Sequence, residues 1–166
     1  MTDDADLTRW FEAHAAALVL YARQWLGRGG AEDAVQEVFV RLLLQPARPR
    51  NVKAWLYRAV RNEAISVWRS SRRREHRERV SAPAEVWFEP HDAEGIDAEA
   101  VTNALAKLPP AEREIVVLRV WGGLTLQEVS NLVASSVSTV HLHYRSALAK
   151  IRERLGVPCE NEKKNP

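Results

Sequence analysis

Apolar residues recur in steps of three and four over most of this chain, the spacing of helices that each bury one face. Leu7, Trp10, Phe11, Leu18, Ala22, Trp25 and Leu26 form the first stripe. They predict a helix over 4–26, closed by Gly27, Gly29 and Gly30. Val35, Val38, Phe39, Leu42 and Leu43 give a second helix over 31–45. Its first turn holds Glu32 and Asp33, where negative charge suits the helix dipole. Pro46 and Pro49 then force a loop. Asn51 can cap a third, long helix to about residue 80, with Val52, Trp55, Leu56, Ala59, Val60, Val67 and Trp68 as its apolar face. Residues 81–96 hold two prolines and one glycine without helical period, and read as a linker. Helices follow over 97–107 and from Pro110 or Ala111 to 121, separated by Leu108-Pro109-Pro110.

The last stretch is the most informative. Thr125-Leu126-Gln127-Glu128 has the capping-box pattern, and it opens a short helix to Val133. Ala134-Ser135-Ser136 breaks that helix and can cap the next. Val137, Val140, Tyr144, Leu148, Ile151 and Leu155 then share one face of a longer helix. Ser138, Thr139, His141, Leu142, His143, Arg145, Ser146 and Lys150 take the other. A helix-turn-helix fits this pattern, and so does an ordinary helical hairpin. The fold class is therefore all-α, with two small helical domains, 1–80 and 99–157. A flexible linker over 81–98 joins them, and 158–166 form a tail.

Net charge is only +2, but its distribution is uneven. From Arg41 to Arg79 there are twelve Lys and Arg against three acids, whereas Ser81 to Ala106 holds six acids and no base. A basic working surface followed by an acidic connector is the expected consequence. The long third helix combines Lys53, Arg58, Arg61, Asn62, Ser66 and Arg69 with aromatics. Single-stranded nucleic acid needs that mixture: cations for phosphates, rings for stacking and an amide for a base edge. A membrane-surface or polyanion contact would use a similar helix. The only cysteine is Cys159, so neither a disulfide framework nor a thiolate cluster can form within one chain. The start is acidic and the longest early apolar run is short, which predicts a cytoplasmic protein without membrane insertion. No catalytic constellation or metal-ligand spacing stands out. The expectation is a non-enzyme with no cofactor and no metal.

Two segments together resemble a known family. Ala31-Glu-Asp-Ala-Val-Gln-Glu-Val-Phe-Val-Arg-Leu42 with Ala54-Trp-Leu-Tyr-Arg-Ala-Val-Arg-Asn62 is similar to region 2 of bacterial RNA polymerase sigma factors of the extracytoplasmic-function group. Leu105 to Arg119, Gly123 to Val129 and Ser136 to Val140 resemble region 4 of the same group. The resemblance implies that Asp33, Gln36, Glu37 and Arg41 dock on the clamp helices of the polymerase's largest subunit. It implies that Asn62 reads a flipped-out base of the −10 element. Arg58, Arg61, Arg69 and Lys53 would hold phosphates, with Asn51, Trp55 and Ser66 on the same surface. Trp55 fits core packing equally well. Thr125, Ser136, Ser138, Thr139, His141, Leu142, His143 and Arg145 would face the −35 element in the major groove, and the same domain would meet the flap of the second-largest subunit. An anti-sigma protein is a further partner that the resemblance allows.

Three departures from the pattern carry expectations. The loop 46–50 is short and lacks an aromatic. His141, Leu142 and His143 stand where relatives often carry Lys, Ser and Arg, so duplex contact should be weaker and less salt-dependent. Ala134 replaces a turn glycine, which calls for a conformation that alanine tolerates. In the linker, Glu85, Glu89, Asp92 and Glu94 either mimic nucleic acid or form a solvated spacer, and Trp87-Phe88 either pins the linker to a domain or does not. The alternatives to a sigma factor are a stand-alone duplex-binding regulator and a helical protein that sequesters a partner.

Overall fold

A computed structural model describes residues 4–75 and 98–156. Among these residues there are seven helices: α1 (Asp4–Ala22), α2 (Arg28–Leu43), α3 (Val52–Glu75), α4 (Ala98–Ala106), α5 (Pro110–Val120), α6 (Leu126–Val133) and α7 (Val137–Leu155). Of the linker expected over 81–98, residues 81–97 lie outside the described residues and Ala98 opens α4; the tail also lies outside them. So does the expected third helix beyond Glu75.

Helices α1, α2 and α3 pack on one another as the first unit. Leu18 and Tyr21 of α1, Val35, Val38 and Leu42 of α2, and Leu56, Tyr57 and Val60 of α3 are fully or almost fully buried there. The boundary between α1 and α2 differs from the sequence expectation. Helix α1 stops at Ala22, and Gly27 is the N-cap of α2 in an extended conformation, its carbonyl accepting from Ala31 N at 2.9 Å. Gly29 and Gly30 therefore lie inside the first turn of α2 and do not terminate α1. A glycine there costs about 1 kcal/mol against alanine, and the burial of Ala31, Ala34 and Val35 immediately after it offsets that. Glu32 and Asp33 consequently sit one turn further in than expected.

The local caps follow the sequence closely. Asn51 Oδ1 accepts from Ala54 N at 3.0 Å and opens α3. Thr125 and Glu128 form a complete capping box on α6, and Ser136 Oγ accepts from Thr139 N to start α7. Between α6 and α7 the expectation of a conformation that alanine tolerates fails: Ala134 takes the left-handed conformation at φ 54°, ψ 47°, the geometry that the missing glycine would supply. An L-residue there is strained by roughly 1–2 kcal/mol, whereas glycine adds about 0.5–1 kcal/mol of unfolded-state entropy. Ala134→Gly should therefore raise stability by about 1 kcal/mol, a rise of roughly 2–4 °C in Tm by thermal unfolding. A lowered midpoint would contradict the strain.

Helices α4 to α7 form the second unit, with α5 crossing α7. Leu105, Leu108, Val116 and Ala147 make a small buried cluster of its own. The sequence reads as two helical domains joined by a linker and leaves their relative placement open; in the structure the two units share a core. One contiguous cluster runs from Leu18, Tyr21 and Tyr57 to Ile115, Leu118, Leu124, Val129 and Val140. Helix α1 meets α5, and α3 meets α6. Full burial of a leucine is worth about 1.5–3 kcal/mol, against about 1 kcal/mol net for a hydrogen bond. Even shared between units, Leu118, Leu124 and Ile115 outweigh the polar contacts. Apolar packing holds the units together, and the polar contacts fix their register.

Two positions of α7 also depart from the expected faces. Val137, placed inward by periodicity, is 37% exposed. Ser146 and Lys150, placed outward, bond Glu112 of α5 at 3.0 and 2.8 Å, because α5 crosses α7 over that face. Burial resists ionisation of Glu112, but the bonds from Lys150 and Ser146 and the Lys150 charge outweigh it and hold the carboxyl below its ordinary range.

Candidate nucleic-acid interface

Helix α3 is the scaffold of the basic surface. Arg58, Asn62, Ser66 and Arg69 are exposed along it, in steps of three and four that set them on one side. Arg61, Asn62, Ile65, Ser66, Arg69 and Arg73 line an open groove of about 340 Å³. Three arginines and two neutral hydrogen-bonding side chains thus converge on a space of nucleotide size. Trp55 is half-buried and packs against the core, which favours the packing alternative for it. The loop before α3 is pinned to α1: Arg48 bonds Asp6 at 2.6 Å and lies over the Trp10 ring at 4.7 Å.

The remaining α3 candidates are drawn into the second unit. Arg61 Nε donates to Glu114 Oε1 at 2.7 Å, and Tyr21 Oη donates to the same oxygen at 2.7 Å. Lys53 Nζ donates to the Gly123 carbonyl at 2.7 Å. Asn51 Nδ2 donates to Glu128 Oε1 at 3.1 Å. Burial, then the neighbouring Glu114 charge, pushes the Tyr21 phenol well above its ordinary value, so it remains a donor. The bond from Thr125 N lowers the Glu128 carboxyl, aided by Asn51 and Thr125 side chains and opposed by burial.

The helix-turn-helix presents Ser138, Thr139, His141, Leu142 and Arg145 to solvent, with Leu142 66% exposed. Thr125 and Ser136 are exposed but serve as caps, and the Ser136 and Thr139 hydroxyls lie 2.8 Å apart. His143 departs from this surface. It is half-buried and lines a cleft with Arg61 and Glu114 between the units, its Nδ1 buried without a protein partner. Asp33, Gln36, Glu37 and Arg41 are all exposed on α2. Arg41 bonds Glu37 at 3.2 Å and pairs closely with Glu63 of α3. Beside them Val40, Leu43 and Leu44 are exposed apolar residues.

Sequence reasoning missed Tyr21, Glu112 and Glu114. The available signal was the pair of acids in Glu112-Arg-Glu-Ile-Val-Val-Leu118, because carboxylates beside a buried run need partners. Arg119 bonds the Leu124 carbonyl and lies over the Tyr144 ring at 5.6 Å. No group of three or more His, Cys, Asp or Glu that could hold a metal comes together among the described residues. None of the described helices is long and apolar enough to cross a membrane.

A three-helix unit with a basic third helix, joined to a unit ending in a helix-turn-helix, defines a class of nucleic-acid-binding protein. Comparison with known proteins specifies it. Residues 10–74 match Sigma-70 region 2, and residues 104–153 match Sigma-70 region 4. The chain is 30% identical over 169 residues to the ECF RNA polymerase sigma factor ShbA of Streptomyces griseus, covering 90% of this chain and 87% of that protein. It is 34% identical to the probable ECF RNA polymerase sigma factor SigI of Mycobacterium tuberculosis, over 86% of this chain and 53% of that one. In fold it resembles the sigma factor RpoE solved with the anti-sigma factor NepR from Bartonella quintana, with TM-score 0.78, 22% identity, and 92% and 98% of the two chains covered. CnrH, solved with the cytosolic domain of CnrY, has TM-score 0.60 and 23% identity over 93% of this chain and 90% of that one.

The chain belongs to the extracytoplasmic-function group of sigma-70 family RNA polymerase sigma factors. It is a DNA-binding transcription initiation factor that works with RNA polymerase at promoters. The stand-alone regulator and the sequestering protein are not favoured.

Proposed function

We propose that α3 holds the melted −10 strand, α7 reads the −35 duplex and α2 docks on the clamp helices of the polymerase's largest subunit. Asn62 reads the flipped base, while Arg58, Arg61 and Arg69 hold phosphates and Ser66 lies alongside. Lys53 adds a phosphate contact at the start of the helix. Asn51 fixes the start of α3, and Trp55 supports it from the core side. Ser138, Thr139, His141, Leu142 and Arg145 meet the major groove, with Thr125 and Ser136 placing the two helices and His143 standing behind them. The observation that carries this reading is the groove on α3, where Asn62 and Ser66 sit among three arginines. Extruding a base costs roughly a few kcal/mol, which edge contacts and charge in such a groove can offset. The second unit also meets the flap of the second-largest subunit. The protein acts in the cytoplasm, catalyses no reaction itself, and is held by an anti-sigma protein, as the complexes of RpoE and CnrH suggest.

Asp33, Gln36, Glu37 and Arg41 form the polymerase-facing patch. Asp33→Ala combined with Glu37→Ala should weaken binding to core polymerase about tenfold in competition with the unaltered chain. Both side chains are exposed, so unfolding should not contribute. Equal affinity would remove the clamp assignment.

A further inference from the structure

The loop between α2 and α3, residues 44–51, has little apolar anchorage. Only Gln45 and Pro49 in it are partly buried, and Leu44 is 74% exposed. Arg48 ties its middle to the first unit. Its Nη2 donates to Asp6 Oδ2 at 2.6 Å, and its guanidinium lies over the Trp10 ring at 4.7 Å. The other Asp6 oxygen accepts from Arg9 at 3.0 Å, so the carboxylate is held on both sides. An exposed ion pair alone contributes little. Here the ring contact adds to it, and Pro46 and Pro49 leave the loop less freedom to lose.

Arg48 is thereby engaged, with a carboxylate against its edge and a ring against its face. Arg50 is not. It is exposed and makes no hydrogen bond or ion pair among the described residues. It lies between two fixed points, Arg48 on α1 and Asn51, whose Oδ1 caps α3. Pro49 restricts the backbone between them. Asn62 is about 16 Å along α3 from Asn51 at 1.5 Å per residue. About five nucleotides of stacked strand span that distance.

We propose that Arg50 is a further phosphate contact for the promoter strand, and that Arg48, clipped to Asp6 and Trp10, is the positioning residue that holds it in place. The inference rests on the assignment of α3 to that strand. The two arginines divide the work of the loop, one anchoring and one binding. The first turns of α1 thus take part in strand binding without touching DNA.

The test uses the full chain and a fluorescein-labelled oligothymidylate of about 20 nucleotides, titrated by anisotropy at several salt concentrations. Arg50→Ala should lower affinity about fivefold and make the salt dependence shallower by about 0.7 in log–log slope, the value of one phosphate on a single strand. Arg48→Ala should lower affinity about threefold. The sign of Asp6→Ala separates positioning from direct contact. Loss of the clip should weaken binding about threefold, whereas an Arg48 that itself bound phosphate would be freed and would bind more tightly. Glu12→Ala, at an exposed acid of the same helix, controls for the change in net charge. Because Arg48 acts through Arg50, the double variant Arg48→Ala, Arg50→Ala should bind within about twofold of Arg50→Ala alone. An additive loss of about fifteenfold would overturn the positioning role, and so would an Asp6→Ala gain larger than that of Glu12→Ala. Arg69→Ala, in the α3 groove, tests the underlying assignment. A loss there with none in Arg50→Ala overturns the loop contact and leaves that assignment standing. No loss in either, or no saturable binding by the unaltered chain, overturns both.

Discussion

Asn62→Ala is expected to lower transcription from a cognate promoter roughly 10- to 100-fold while leaving the thermal midpoint within about 1 °C. The first figure follows from the 1–3 kcal/mol that a good base-edge contact supplies. The second follows from exposure: Asn62 lies on the open side of α3, and truncating it leaves no cavity. The measurement is run-off transcription on a duplex promoter and on the same promoter with a pre-melted −10 segment. If Asn62 holds an extruded base, the defect should persist on the pre-melted template, because the contact is still missing there. A defect confined to the duplex template would assign Asn62 to melting and not to base recognition. Unchanged transcription on both would remove it from the pocket.

Gly122→Ala is expected to give the largest loss of stability, about 2–3 kcal/mol, or roughly 5–10 °C in thermal midpoint. Gly122 lies at the end of α5, where the chain turns toward Leu124 and α6. A Cβ there would fall 2.5 Å from the Leu118 carbonyl oxygen, 2.9 Å from Leu124 Cδ1 and 3.1 Å from Tyr57 Cζ. The first of these is backbone and cannot give way as a flexible side chain would. Leu124 and Tyr57 are themselves buried, one on each side of the contact between the units. The substitution therefore strains the end of α5 and the shared core together. Circular dichroism through a thermal ramp reads the effect. A midpoint within about 1 °C of the unaltered chain would show that the turn relaxes freely, and that the packing around Gly122 is looser than its geometry implies.

The two predictions draw on different parts of what the sequence reveals. The exposure of Asn62 beside arginines on one side of α3 was legible because their spacing along one helix is local. The caps at Asn51, Thr125 and Ser136 were legible for the same reason, since each hydrogen bond spans three residues. Gly122 and Glu114 were not legible. Tyr21 and Glu114 are 93 residues apart in sequence, and hydrophobic period says which face of a helix is buried but not what covers it. The linker left the relative placement of the two units open for the same reason. Ser146, Lys150 and His143 were set on an outer face by the period of α7 alone, and the crossing of α5 and the approach of the first unit enclose them. The start of α2 misled for a different reason. Its glycines carry a stop signal locally, and tertiary burial of the residues just after them prevails.

The exposed face of α7 carries Ser138, Thr139, His141 and Leu142, with Arg145 as its fixed charge. Leu142 is exposed where an apolar side chain gains nothing from water, and Arg145 is the fixed charge nearest to it on that face. An apolar contact with a thymine methyl would suit such a position in a major groove. Promoter choice through α7 would then depend more on shape and methyl contacts than on phosphate charge.

Run-off transcription with purified core polymerase, with and without this protein, on a pool of genomic promoter fragments from its host tests the central claim most directly. The account predicts new transcripts whose aligned start sites share a −10 and a −35 element, and their loss when Asp33 and Glu37 are both replaced by alanine. Binding to core without any new transcript, or tight binding to duplex DNA with no response from polymerase, would contradict it.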